Sequence, residues 1–134
     1  MKRWTNYALI YGVLAMAGGV FYREFTKFSS FSGKTALAVV HTHYFMLGMV
    51  FFLLLLLLDK TIAFSDKKTG KLLALYNMGL NISAAALIWR GVNQVMGTEL
   101  SAAVDASISG TAGTGHMLLG VSMILLLLQI KRAC

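Results

Sequence analysis

Long apolar stretches separated by short polar segments dominate the pattern of hydrophobic and polar positions along the chain. Four stretches can be drawn, at about residues 6–22, 35–58, 72–96 and 110–130. Each has roughly the 20 residues that an α-helix needs to cross a bilayer core about 30 Å thick. The run "FFLLLLLL" in the second stretch has no polar face, as expected of a helix surrounded by lipid. The pattern therefore predicts an all-α, integral membrane four-helix bundle that forms one transmembrane domain over the whole chain.

Composition agrees with a membrane protein and changes how the net charge is interpreted. The 134 residues are 57% hydrophobic and 13% charged, and the formal net charge is +7. In a soluble protein this charge would indicate nucleic-acid binding. Here the basic residues lie in short segments between apolar stretches, so membrane topology explains them better. We therefore expect the lipid bilayer, and no nucleic acid, as a partner.

The basic residues also predict the orientation in the membrane. Eight of them lie at one end of the predicted bundle, in the N-terminus, the segment between the second and third stretches, and the tail (Lys2, Arg3, Lys60, Lys67, Lys68, Lys71, Lys131 and Arg132). Four lie at the other end (Arg23, Lys27, Lys34 and Arg90). Because positive residues are retained in the cytoplasm, we expect both termini to face the cytoplasm in a multi-pass arrangement.

The three histidines supply the candidate chemistry. His41 and His43 lie in the second stretch and His116 in the fourth, and the predicted topology places all three in the outer half of the bilayer. Ionisable side chains at membrane depth are costly and commonly mark functional sites. Neutral imidazole binds haem iron, copper and zinc. The shared depth of the three rings therefore indicates a cofactor or metal site.

Helical spacing favours a b-type haem with His41 and His116 as its axial ligands. His41 shares a helical face with Gly48, and His116 shares one with Gly120. A flat macrocycle between helices needs small residues beside its axial ligands, and facing histidines in a helical bundle supply such ligands. Two arginines at the outer helix ends could pair with the haem propionates. These are Arg23 and Arg90.

Other interpretations of the same residues stay open. His43 points about 200° away from His41 on a regular helix, so it is a reserve ligand or a supporting group. A copper or zinc site using His41, His43 and His116 is the main alternative, with metal binding or transport as the function. A non-catalytic scaffold with hydrogen-bonded histidines is the third. Haem binding would serve electron transfer, haem handling or redox and gas sensing, and the sequence leaves open whether the protein is an enzyme.

An internal similarity suggests two repeated helical hairpins, over about 1–60 and 70–132. The segment "GVLAMAGGVFYRE" aligns with "GLNISAAALIWRG", so that Gly12 matches Gly79 and Arg23 matches Arg90. Parallel repeats of this kind occur in membrane proteins. They would bring the two histidine-bearing helices to face each other across the bundle.

The segments "HTHYFMLG" and "GHMLLG" carry two resemblances. Over nearly its whole length the chain resembles a small family of bacterial four-span membrane proteins known as a domain of unknown function. This implies a location in the bacterial cytoplasmic (inner) membrane and brings no established activity. The same two segments resemble the haem-bearing helices of the haem–copper oxidase large subunit over about ten residues each. Haem binding of this kind would involve a redox partner, and so small a chain could assemble as a homo-oligomer around a shared site.

Overall fold

Four long helices form the molecule in the computed structural model, which describes residues 2–134. They are α1 (Lys2–Phe28), α2 (Ala36–Ile62), α3 (Thr69–Met96) and α4 (Ala102–Ala133). Each is long and apolar enough to cross a membrane, and residues 2–134 contain no strand. The prediction of an all-α four-helix bundle in a multi-pass membrane protein is confirmed.

The fourth helix begins at Ala102, well before the predicted start near residue 110. Ser101 caps it by accepting a hydrogen bond from the backbone N–H of Val104 at 3.4 Å, and Asp105 lies in the first turn, where the helix dipole favours a negative charge. Gly97, with φ +62°, ends α3. The segment before residue 110, which the predicted spans leave outside the fourth stretch, is therefore mostly helix.

Small residues bring three helix pairs into close contact, beginning with α3 and α4. A Cβ added at Gly115 would lie 2.5 Å from Ser83 Oγ and 2.7 Å from Ser83 N. A Cβ added at Gly79 would lie 2.5 Å from Leu119 N. In a bilayer the hydrophobic effect does not drive helices together, so membrane helices associate through close contacts between small residues such as these. The α3–α4 contact is by far the most extensive in the bundle.

The other two close contacts attach α2 to its neighbours. A Cβ at Gly91 of α3 would lie 2.5 Å from Leu37 N, and the Thr35 hydroxyl donates a 2.9 Å hydrogen bond to Gly91 O. A Cβ at Gly48 of α2 would lie 2.5 Å from Tyr11 Cβ of α1. These contacts fix α2 between α1 and α3.

A tight turn joins α2 to α3 at the basic end of the bundle. The Asp66 carboxylate accepts hydrogen bonds from Lys68 N–H at 2.6 Å and from Thr69 N–H at 3.0 Å. Desolvation acts to raise the pKa of the Asp66 carboxyl, but these hydrogen bonds outweigh it and hold that pKa below its usual range. Gln129 of α4 completes the corner by donating to Phe64 O at 3.2 Å and to Thr69 Oγ1 at 2.7 Å.

Candidate functional site: a histidine pair between α2 and α4

Two histidine rings from different helices meet on one side of the bundle. The ring centres of His43 in α2 and His116 in α4 are 6.0 Å apart, and the ring planes are nearly perpendicular at 87°. His116 follows Gly115, so the close α3–α4 contact at Gly115 fixes the backbone that carries its ring. The pair is the closest approach of imidazoles in the described chain.

Each of these rings uses one nitrogen for a local hydrogen bond. His43 Nδ1 lies 2.8 Å from Val39 O, and His116 Nδ1 lies 2.7 Å from Ala112 O, four residues earlier in each case. A carbonyl oxygen only accepts, so Nδ1 carries the hydrogen in both rings. The lone pair then resides on Nε2, and the carbonyl contact fixes the ring orientation, as it does for many metal-bound histidines.

His41 lies on a different side of α2 and faces α1. Cβ atoms added at Gly18 and Gly19 would lie 3.9 Å and 3.8 Å from the His41 Cβ. The Nδ1 atom of His41 is buried, and it has no hydrogen-bond partner among residues 2–134. Two residues along a helix are about 200° apart, so α2 cannot present both of its histidines to α4. The structure pairs His116 with His43, whereas the sequence favoured His41.

Of the remaining predicted site residues, Arg23 lines a pocket between α1 and α2 together with His41, away from the histidine pair, and the others are dispersed. Gly48 packs on the Tyr11 ring of α1, and Gly120 lies on α4, where an added Cβ would meet nothing within 4 Å in the described chain. Arg23 is highly exposed and lies 3.8 Å from Glu24. Arg90 joins the last part of α3 to the first part of α4.

The contacts of Arg90 are specific. Its guanidinium forms a 2.8 Å ion pair with Asp105 and donates a 2.8 Å hydrogen bond to Ser109 Oγ. Both partners belong to the part of α4 that the sequence presents as a loop. Arg90 therefore stabilises the start of α4 above the histidine pair.

No group of three or more His, Cys, Asp or Glu side chains within residues 2–134 is arranged to hold a metal ion. The three histidines of this chain are accordingly divided into a pair and a single residue on opposite sides of α2. A site that needs three ligands from one copy of the chain is not assembled in this arrangement.

A partly buried polar network joins α1, α2 and α3 and was only partly predictable. The Tyr11 hydroxyl donates to Asn77 Oδ1, and the Asn81 amide donates to Tyr11 Oη at 2.9 Å. The Tyr44 hydroxyl donates to Asn81 Oδ1 at 3.1 Å. The two asparagines, four residues apart in an apolar stretch, were visible in the sequence. The tyrosines gave no comparable signal, because tyrosine is common in membrane helices.

The segment Tyr44–Val50 of α2 is a π-helix that begins directly after His43. The Tyr76 hydroxyl of α3 donates a 2.7 Å hydrogen bond to the Leu47 carbonyl in this segment. A π-helix changes which residues face each neighbour, and short π segments often occur at functional sites. The segment gives α2 a change of helical register immediately below the histidine pair.

Comparison with known proteins places this architecture in a family. A family model described as "Protein of unknown function (DUF2871)" matches residues 1–133. The chain belongs to the DUF2871 family. The expected membership of an uncharacterised family is thereby confirmed, while the resemblance to haem–copper oxidase helices has no support from these comparisons. Neither a curated protein nor a solved structure matches the chain.

Proposed function

We propose that this DUF2871 protein binds one b-type haem between α2 and α4, with His43 and His116 as the axial ligands. The observation that carries the proposal is the pair of imidazoles at 6.0 Å whose Nδ1 atoms are both held by backbone carbonyls. In this state each ring has its Nε2 lone pair available for a metal. His43 thus takes the role that the sequence assigned to His41.

The separation of the rings suits one shared metal ion. A metal–imidazole bond is about 2.0 Å long, and bond lengths of roughly 1.3–1.5 Å give a five-membered ring a radius of about 1.1 Å. Two imidazoles on opposite sides of one ion then have centres about 6.2 Å apart. The measured 6.0 Å is compatible with this value, and perpendicular rings are no obstacle, since each binds the metal independently.

The number of ligands favours haem over a bare ion. Structural zinc sites take four protein ligands, and catalytic sites take three. Haem iron needs only two from the protein, because the porphyrin nitrogens fill the other four positions. A site built from His43 and His116 alone is therefore complete for haem and incomplete for zinc.

The surroundings of the pair are apolar and open to the side. Met46, three residues after His43 on α2, is 60% exposed. The space beside Gly120 of α4 is also open, as its empty Cβ position indicates. A porphyrin seated against this surface would bury apolar area, which contributes about 25 cal/mol per Å². Haem insertion would therefore stabilise both the cofactor and the α2–α4 contact.

With both axial positions filled, one-electron transfer to and from a redox partner is the role that this chemistry serves best. Bound haem supplies a reversible one-electron centre. The protein would hold the rings in a fixed orientation through Val39 O and Ala112 O, and it would exclude water with apolar side chains. Haem handling or redox sensing would use the same pair.

The proposed location is the bacterial cytoplasmic membrane, with both termini in the cytoplasm. Eight of the twelve basic residues lie at the end of the bundle that carries the termini and the α2–α3 turn. The positive-inside rule supports this orientation. It puts the histidine pair in the outer half of the bilayer.

Haem titration of the purified protein tests the proposal. The protein is produced with haem supplied, and absorbance spectra are recorded before and after dithionite. We expect a sharp Soret band that shifts on reduction, with about one haem per chain. His43→Ala and His116→Ala should each lose most of the bound haem. The matched control His41→Ala should retain it, because His41 faces α1.

Three outcomes would contradict the proposal. Loss of haem in His41→Ala with retention in His43→Ala would restore the pairing favoured by the sequence. A colourless protein that contains stoichiometric copper or zinc would favour a metal site completed by other ligands. A protein that contains neither haem nor a metal ion, and whose helix content is unchanged by all three histidine substitutions, would have a scaffolding role.

A further inference from the structure

The basic end of the bundle contains a cleft between the start of α3 and the end of α4. Its volume is about 480 Å³, and its lining residues lie far along α3 and α4 from the histidine pair, at the end of the bundle that is cytoplasmic in the proposed orientation. Three basic side chains line it, and these are Lys68, Lys71 and Arg132. Its membrane-facing wall is formed by leucines.

We propose that this cleft binds the headgroup of one anionic phospholipid. Basic pockets between membrane helices on the cytoplasmic side are suited to anionic headgroups. Arg132 can bind phosphate oxygens in a bidentate manner, while the two lysines act as point charges. Lys68 lies directly before α3, Lys71 lies in its first turn, and Arg132 lies at the end of α4, so a bound phosphate would connect the start of α3 to the end of α4.

The apolar wall selects a lipid over a free phosphate. Leu72 of α3 and Leu125 and Leu128 of α4 line the same cleft. Leu125 is 41% exposed and Leu128 is 44% exposed, so both side chains are available to acyl chains. A single ligand with a charged head and apolar tails is complementary to both walls, whereas inorganic phosphate would use only one.

One acidic side chain also lines the cleft, and it does not cancel the positive charge. The Asp66 carboxylate accepts hydrogen bonds from the backbone N–H groups of Lys68 and Thr69 within the α2–α3 turn. Its charge is therefore satisfied locally by the turn. The lining keeps an excess of two positive charges, counted as three basic residues against one acidic residue.

Native mass spectrometry of the full chain in detergent tests this site. Dioleoyl phosphatidylglycerol and dioleoyl phosphatidylcholine are titrated separately, and bound lipids are counted. We expect one phosphatidylglycerol to be retained at concentrations at which phosphatidylcholine is lost. The triple variant Lys68→Gln, Lys71→Gln, Arg132→Gln should bind phosphatidylglycerol roughly 100-fold more weakly, because each basic side chain near an anionic surface contributes about five-fold.

A second triple variant distinguishes lipid binding in the cleft from a general effect of positive charge at this end of the bundle. Lys60→Gln, Lys67→Gln, Lys131→Gln removes three charges from the same end of the bundle, outside the cleft lining, and it should change the affinity by less than about three-fold. Equal weakening in both variants, or equal retention of phosphatidylcholine, would overturn the proposal. Competition by soluble glycerol phosphate at the same concentration would identify a phosphate site that does not select lipid. Circular dichroism of both variants confirms that the helices are intact.

Discussion

Replacing Gly115 by alanine would separate α3 from α4 at their closest point. The added Cβ would lie 2.5 Å from Ser83 Oγ and 2.7 Å from Ser83 N, where one neighbour is backbone and cannot rotate away. Optimal separations between non-bonded heavy atoms are about 3.5–4.0 Å, so the helices must move apart by about 1 Å. Overpacking of this kind costs typically about 1–3 kcal/mol. The displacement also moves the neighbouring His116 away from His43.

The matched control lies two residues away on the same helix. A Cβ at Gly113 would meet nothing within 4 Å in the described chain, and alanine is up to about 1 kcal/mol more favourable than glycine within a helix. Gly113→Ala should therefore be neutral or stabilising. The assay is unfolding in mixed micelles of increasing dodecyl sulfate fraction, followed by circular dichroism, with haem content measured in parallel. Equal stability of Gly115→Ala and Gly113→Ala would refute the argument that this contact fixes α4.

Three further predictions follow from single contacts. Tyr76→Phe removes the hydrogen bond to Leu47 O and should lower the free energy of unfolding by about 1 kcal/mol, with Tyr22→Phe unchanged in the same micelle assay. The lowered pKa of Asp66 means that its contribution to stability is present above the ordinary aspartate pKa and is lost as the pH falls through the folded value. The free energy of unfolding, measured in the micelle assay at neutral and at acid pH, should therefore fall more on acidification in the wild type than in Asp66→Asn, and an equal fall in both would contradict this. Cys134, the single cysteine, should react with an impermeant maleimide in inverted vesicles and not in intact cells; labelling from outside would contradict the proposed orientation.

The positions of the four helices were predictable because each apolar stretch is long enough to cross a bilayer by itself. The start of α4 was harder to predict, since the segment before residue 110 is rich in Ser, Gly and Ala and has no apolar run. Two local features decide it, namely the Ser101 cap and the Arg90–Asp105 ion pair. Neither is visible without knowing that the ends of α3 and α4 lie together.

The common level of the histidines along the bundle was predictable, but their pairing was not. Spacing along α2 established that His41 and His43 face different directions. Which of the two faces α4 depends on the packing of α2 between α1 and α3, through Gly48 and Gly91. The glycine that shares a helical face with His41 predicts clearance for a cofactor, whereas Gly48 provides room for the Tyr11 ring. A small residue is compatible with either use, so sequence alone does not distinguish them.

The π-helix in α2 was likewise not predictable from the sequence. Its formation is associated with the hydrogen bond from Tyr76 to Leu47 O, which joins residues 29 positions apart in the chain. A regular helical wheel therefore assigns the residues of α2 before Tyr44 to the correct helix faces. It assigns the residues after Val50 to the wrong faces, because the π-helix changes the register between them. The hydrophobic pattern of the sequence does not predict long-range contacts of this kind.

Electron paramagnetic resonance of the ferric protein tests the central claim most directly, because it reports on both axial ligands at once. Two imidazoles on one haem iron give a low-spin signal, and nearly perpendicular ring planes, as in the 87° pair here, make that signal strongly anisotropic. The account predicts this signal in the wild type and in His41→Ala, and its loss in His43→Ala and His116→Ala. A low-spin signal that survives His43→Ala but disappears in His41→Ala would contradict it.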